Sequence, residues 1–253
     1  MAPTTLLITQ ARTGSTRLPG KVLKTINGRT LLEIHIERLQ KCKNVSQILV
    51  ATTTNEVDDV ICKISLNSGT LSYKGSENDV LDRFYQAAKD IKPEWIVRVT
   101  SDCPLVDPLI IDAVIALAQV NDVDYCSNTL VEHFPDGQDV EVFKFLALQK
   151  AWKEAELKSE REHVTPYIRK NVNRNGGSIF SSVSFPCYTN FSHIRMTVDE
   201  QSDFDLIKRL INDLGAHESW LTYTRYIIYN NLHKVNEGIV RNEGFLKSLK
   251  NDQ

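Results

Sequence analysis

Apolar positions along the chain follow two alternating rhythms. Solid runs at Leu6-Leu7-Ile8, Ile48-Leu49-Val50-Ala51 and Trp95-Ile96-Val97-Arg98-Val99 predict buried strands, with Thr70 to Tyr73 a shorter one. Between them the spacing widens to three and four. Leu32, Ile36 and Leu39 form one set, Val57, Val60, Ile61 and Ile64 a second, and Val80, Leu81, Phe84, Ala87 and Ala88 a third. Each set predicts one amphipathic helix. Thr30 and Glu33 have the spacing of a capping box, Asn55 is placed to cap the second helix, and Gly69 to end it. Asp107 followed by Pro108 opens a helix from Leu109 to Leu117. Strands alternating with single helices imply right-handed crossovers and a mostly parallel sheet, whose ligands sit beyond the carboxyl ends of the strands. Three loops therefore converge on one edge: Gln10 to Lys21, Lys74 to Asp79, and Thr100 to Asp107.

Further on the alternation falters. Tyr125 to Asn128 and Val140 to Phe143 predict strands on either side of the turn from Phe134 to Gln138, and Leu146 to Ala155 predicts a helix. Ser159 and Glu162 are spaced as a capping box before a helix running toward Ile168. Ser178 to Ser184 and His193 to Val198 predict antiparallel strands. Ser202 or Asp203 then caps a helix with Phe204, Leu206, Ile207, Leu210 and Ile211 inward. Trp220, Tyr223, Tyr226 and Tyr229 lie at helical spacing, as core or subunit-contact residues do.

Composition narrows the class. With 253 residues, 42% of them hydrophobic, the chain can bury a substantial core in one large domain or one domain with an insertion. A net charge of −2 provides no broad basic field for nucleic acid, so anion binding must be local. Five scattered cysteines lack a C-x-x-C pair and are expected to be reduced and mostly buried. No apolar run reaches the length of a membrane span and no leader pattern opens the chain. A cytoplasmic protein without membrane or nucleic-acid partners is expected.

The chemistry concentrates in the first loop. Gln-Ala-Arg-Thr-Gly-Ser-Thr-Arg-Leu-Pro-Gly-Lys, from Gln10 to Lys21, holds three cations, two glycines and three hydroxyls directly after a strand. Such a loop is either a solvated basic turn or a cradle for phosphates. Asp102, just after the fourth strand, suits a magnesium ligand or a turn residue before Pro104. Asp199 ends the run from His193 and is not needed as a cap. His163 stands beside Glu160 and Glu162, which could simply pair with it.

These blocks resemble the cytidylyltransferases of the spore coat polysaccharide biosynthesis protein F family, relatives of the CMP-Kdo and CMP-sialic acid synthetases. The resemblance rests on Gln10 to Lys21, Val50-Ala51-Thr52-Thr53-Thr54-Asn55, Gly75 to Arg83, Arg98 to Asp107, Pro135 to Glu141, Ser159 to Pro166 and Thr197-Val198-Asp199-Glu200. Together they span about residues 4 to 212. The family implies an α/β, Rossmann-like nucleotide-diphospho-sugar transferase fold of the GT-A type: a mostly parallel sheet flanked by helices, with a smaller antiparallel acceptor and dimerisation region. One domain is expected, comprising a nucleotide-binding half (1–130), an acceptor and dimer region (131–200) and a C-terminal helical segment (201–253).

The implied reaction joins CTP to a sugar or sugar acid, giving a CMP-activated sugar and pyrophosphate for surface polysaccharide or glycoconjugate synthesis. Mg²⁺ is the implied cofactor, on Asp102 and Asp199. Arg12, Lys21, Asp102 and Asp199 are the implied catalytic residues. Nucleotide contacts fall to Gln10, Ala11, Arg12, Gly14, Ser15, Arg17, Lys21, Thr52, Ser76, Asn78, Asp79 and Asp102, and acceptor contacts to Asp139, Glu141, Arg161 and His163. Relatives often pair as homodimers. The chain departs from the usual family spelling at Thr13, where methionine is common, and at Ser101, where glycine is common. A GT-A glycosyltransferase, a transferase using another NTP, and a catalytically silent nucleotide-binding protein are the alternatives.

Overall fold

The computed structural model describes residues 4–252. Its strands are β1 (Thr5–Gln10), β2 (Thr25–Ile26), β3 (Arg29–Thr30), β4 (Gln47–Thr53), β5 (Leu71–Gly75), β6 (Trp95–Thr100), β7 (Tyr125–Ser127), β8 (Glu141–Lys144) and β9 (Ser182–Ser184). The helices are α1 (Leu31–Leu39), α2 (Asp59–Asn67), α3 (Val80–Ala88), α4 (Pro108–Asn121), α5 (Phe145–Glu154), α6 (Lys158–His163), α7 (Pro166–Lys170), α8 (Gln201–Leu214), α9 (Trp220–Tyr229) and α10 (Glu243–Lys250). Seven strands form one sheet in the order β5-β4-β1-β6-β8-β7-β9, and β2 and β3 pair separately. β6 lies at its centre with β1 beside it; β1 is parallel to β4 and β6, while β8 runs antiparallel to β6 and β7.

Strand periodicity divides the core between the faces of the sheet. Leu6 and Ile8 pack with Phe84 of α3 and Leu148 of α5, whereas Leu7 joins Val97, Ile111 and Ile115 on the α4 side. Because both faces are covered, the central strands read as unbroken apolar runs. Thr30 and Glu33 form the expected capping box: Thr30 N donates to Glu33 Oε2 at 2.7 Å and Glu33 N to Thr30 Oγ1 at 3.2 Å. Asp107 caps α4 through Leu109 N at 2.9 Å and also receives Trp220 N at 2.8 Å, tying α9 to the start of α4.

Several expected boundaries are displaced. α2 starts at Asp59 after a 3₁₀ turn, so Val57 falls off the apolar face and is 69% exposed. Asn55 Nδ2 donates to Glu77 Oε2 at 2.8 Å and its side chain caps nothing. α6 opens one residue before Ser159, and Glu160 accepts the Leu157 N–H at 3.3 Å; Ser159 and Glu162 lie inside the helix. Asp203, not Ser202, satisfies the start of α8, accepting Asp199 N and Glu200 N at 3.0 Å each.

The antiparallel pair expected from Ser178 to Ser184 and His193 to Val198 does not form. β9 instead runs parallel to β7. The segment 193–198 laces loops together: Asp136 N donates to Ile194 O at 2.9 Å, Met196 N to Asp136 O at 2.7 Å, and Val198 N to Asp102 O at 2.7 Å. Its alternation has another cause, since Ile194, Met196 and Val198 bury one side against α8.

Candidate active site

The first loop is shaped before any ligand arrives. Thr13 donates through its N–H and its hydroxyl to Asp58 Oδ1 at 2.8 and 2.7 Å, and Thr53 donates to the other oxygen of that carboxylate. Thr13 N–H and O–H thus anchor the loop to the start of α2, and Thr13 O in turn receives Ser15 N and Gly20 N at 2.9 and 3.0 Å. Gly20 has φ +65, which a β-carbon disfavours, and reverses the chain so that Lys21 opens a short helical turn.

Lys21 points into the site. Its Nζ donates to Asp102 Oδ2 at 2.9 Å, Asp199 Oδ1 at 2.8 Å and Val198 O at 2.8 Å. Burial opposes the ammonium charge, but Asp102 and Asp199 outweigh it and hold the Lys21 pKa above its ordinary value. Burial would likewise raise Asp102; Lys21 and the hydrogen bonds around the carboxylate pull it well below the usual range. Arg17 lies 3.1 Å from Asp199 Oδ1 and donates to Glu243 Oε2 at 3.0 Å. Asp199 Oδ2 is held at 2.8 Å by Arg195, which also binds Asp136 and Asp203.

The loop carrying Asp102 is braced from beneath. His35 of α1 is fully buried, with Nδ1 3.0 Å from Cys103 O and Nε2 2.9 Å from Thr9 Oγ1. The carbonyl can only accept, so Nδ1 carries the proton and Nε2 accepts from Thr9. Burial lowers the His35 pKa to about 4.

Two adjoining cavities, of about 560 and 710 Å³, open at this edge of the sheet. The first is lined by Gln10, Ala11, Arg12, Ser15, Arg17, Lys21, Asn78, Asp102 and Asp199, all expected at the site. Arg12 pairs with Glu77 at 3.2 Å on its rim. Gly14, in the same loop, does not line the cavity. Thr52 is buried in β4 and its hydroxyl has no partner among the described residues. Ser76 Oγ accepts Asp79 N at 3.0 Å, and Asp79 caps α3 through Asp82 N at 2.9 Å. These two side chains support the second loop from behind.

The second cavity takes in Asp139, Glu141 and His163 among the residues expected near the acceptor. Asp139 receives Arg241 Nη2 at 2.6 Å, and Glu141 receives Arg98 Nη1 at 2.5 Å and the Tyr125 hydroxyl at 2.6 Å. His163 lines both cavities, lies 3.1 Å from Ser248 Oγ, and is lowered to about 4 by burial and by Arg98. Arg161, expected with them, is used elsewhere. It donates to Asp79 Oδ2 at 2.7 Å and to the carbonyls of Trp152 and Ala155, and lines neither cavity.

Sequence reasoning missed Arg83, Arg169, Arg195, Arg241 and Glu243, all lining one or both cavities. Arg83 carried a signal, a cation three residues after Val80 on the apolar face of α3. Arg241 and Glu243 carried none, because only the return of the chain places α10 across the site. Among the described residues no cluster of three or more His, Cys, Asp or Glu is arranged to hold a metal by itself. No helix among them is long and apolar enough to cross a membrane.

A mostly parallel sheet whose edge carries a basic first loop, with two carboxylates facing its lysine, places the protein among the nucleotidyltransferases. The chain belongs to the cytidylyltransferase family, whose sequence profile matches residues 6–234. It is 43% identical to the uncharacterised protein MJ1063 of Methanocaldococcus jannaschii, over 80% of this chain and 81% of that one. It is 34% identical to the spore coat polysaccharide biosynthesis protein SpsF of Bacillus subtilis, over 83% of this chain and 87% of the relative. A solved cytidylyltransferase of Leptospira borgpetersenii superposes with a TM-score of 0.85 at 31% identity, covering 95% of this chain and all of that one. The fold is the Rossmann-like nucleotide-diphospho-sugar transferase fold, and the protein is a nucleotidyltransferase enzyme.

Proposed function

We propose that this enzyme joins CTP to a sugar or sugar acid, forming a CMP-activated sugar for surface polysaccharide or glycoconjugate synthesis. One observation carries the reading: the Lys21 ammonium stands between Asp102 and Asp199 at the inner end of a cavity that also holds Arg12 and Arg17. The acceptor hydroxyl oxygen bonds to the α-phosphorus and gives up its proton to solvent, the bond from that phosphorus to the bridging oxygen breaks, and pyrophosphate leaves with the electron pair. Charge neutralisation governs such a transfer more than covalent chemistry by the protein. Arg12, Arg17 and Lys21 supply it by holding the phosphates as negative charge grows on the leaving group. Two adjoining cavities suit a nucleotide and an acceptor meeting where Arg17, Asp102, Asp199 and His163 line both.

The donor set fits magnesium. Two carboxylates already face a shared cation, and Mg²⁺ completes its shell from phosphate oxygens and water. Asp102 and Asp199 would hold it, with Lys21 turning to the phosphates. Bound there, the ion supplies charge neutralisation and a lower pKa for the attacking hydroxyl. The name of the SpsF relative supports the polysaccharide setting.

A screen of the four NTPs against sugars, sugar acids and sugar phosphates, reading pyrophosphate with and without Mg²⁺, tests the proposal. Pyrophosphate formed from CTP with at least one acceptor, only with the metal, is expected. Turnover with UTP or GTP in preference to CTP would overturn it.

A further inference from the structure

Arg83 is an unusual cation. Only 2% of its surface is exposed, and no carboxylate lies within 4 Å of it among the described residues. Nη1 donates to Ser76 O at 2.8 Å, Nε is buried without a partner, and Nη2 makes no hydrogen bond to any described residue. Burial and the neighbouring Arg12 lower its pKa to about 10, so the free protein bears an electrostatic cost at this position. A buried, incompletely bonded guanidinium lining a cavity is a candidate ligand contact.

The surroundings indicate which part of the ligand. Val80, one turn earlier on α3, lines the same cavity, as do Asn78 and Glu77. Lys21, Asp102 and Asp199 already form the charged centre that suits phosphate and metal. An apolar side chain beside a planar fork suits a flat heterocycle, whereas a phosphate gains nothing from the valine. Gly75 keeps the fork in place: a β-carbon there would sit 2.9 Å from Arg83 Cγ and 3.2 Å from its Cβ. The stem of Arg83 thus lies flush against the backbone of β5.

We propose that Arg83 reads the nucleobase, the unbonded Nη2–H edge of its guanidinium donating to the adjacent N3 and O2 acceptors of cytosine. Uracil presents an N3–H to the same edge, so donor meets donor and one buried group is left unpaired. Arg83 is therefore a specificity-determining residue, and the assignment rests on the first cavity being the CTP site.

Calorimetric binding of CTP, UTP, 3-deazacytidine triphosphate and pyrophosphate to the wild type and to Arg83→Lys tests it. In the 3-deaza nucleotide a C–H replaces N3. The wild type should bind CTP at least about tenfold more tightly than either UTP or the 3-deaza nucleotide. Arg83→Lys keeps the charge and the stem over Gly75 but loses the fork. It should weaken CTP about 10- to 100-fold, bring the CTP to UTP ratio close to one, and leave pyrophosphate unchanged. Equal wild-type affinity for CTP and the 3-deaza nucleotide overturns the base contact without needing the variant to fold. Equal weakening of pyrophosphate and CTP in Arg83→Lys would assign the guanidinium to phosphate instead. If the wild type binds no nucleotide, the reading of the cavity itself fails.

Discussion

Lys21 Nζ stands 2.9 Å from Asp102 Oδ2, joining two side chains 81 residues apart in the chain, and the same nitrogen reaches Asp199 at 2.8 Å. The lysine therefore holds together two carboxylates that would otherwise repel. Lys21→Met should lower turnover at least about 100-fold, the magnitude of losing one strong electrostatic stabiliser. It should also let the Asp102 pKa climb from its depressed position, which carboxyl NMR titration of the variant would read.

Magnesium and Lys21 contend for the same carboxylates. Without nucleotide the metal must displace the ammonium, and no third acidic or imidazole ligand joins the cluster among the described residues. Metal affinity should therefore rise at least about tenfold when CTP supplies phosphate oxygens. Manganese titrations followed by electron paramagnetic resonance, with and without CTP, would measure this. Equal affinity in both would place the metal elsewhere, and chelation should abolish turnover until magnesium is returned.

Glu243 of α10 occupies Arg17 at 3.0 Å and lines the cavity expected to receive phosphates. Its carboxylate competes with the nucleotide for that guanidinium. Glu243→Gln should tighten CTP binding about two- to fivefold at low ionic strength, the scale of a partly exposed ion pair, with the gain shrinking as salt rises. Weaker binding in the variant would show that Glu243 holds the loop in its working shape.

His35 makes the fold sensitive to acid. Its folded pKa is about 4, against 6.5 for the free side chain, so between these values the unfolded chain binds the extra proton. The stabilisation is complete above pH 6.5 and is lost as pH falls toward 4, by up to about 3 kcal/mol. His163, also near 4, contributes over the same window. Urea midpoints measured from pH 7.5 to 4.5 should fall along this window. His35→Gln should flatten the slope while lowering stability at neutral pH.

Much of the nucleotide half is legible in the residues themselves. Leu6 to Ile8, Leu49 to Ala51 and Trp95 to Val97 are buried on both faces, so their apolar runs report strands directly. Parallel connections then bring the ends of β1, β5 and β6 together, which is why Lys21 and Asp102 meet. Asp199 joins them because its backbone neighbour Val198 bonds to Asp102 O at 2.7 Å. The acceptor side is harder to read. The alternation from His193 to Val198 reports burial against α8, and nothing local distinguishes that from strand pairing. Arg195 is silent for the same reason, since its three carboxylate partners come from two loops and a helix start. Arg161 shows the opposite difficulty. Its chemistry suits an acceptor contact, but Asp79 and two helix-end carbonyls already engage it.

Pyrophosphate release from CTP and Mg²⁺, with an acceptor that the wild type uses, compared between the wild type and Asp102→Asn, tests the central assignment most directly. The substitution keeps the shape of the side chain and removes the charge that pairs with Lys21. Turnover should fall at least about 100-fold at saturating CTP while the thermal transition stays cooperative. Wild-type rates of pyrophosphate release by Asp102→Asn would contradict the account.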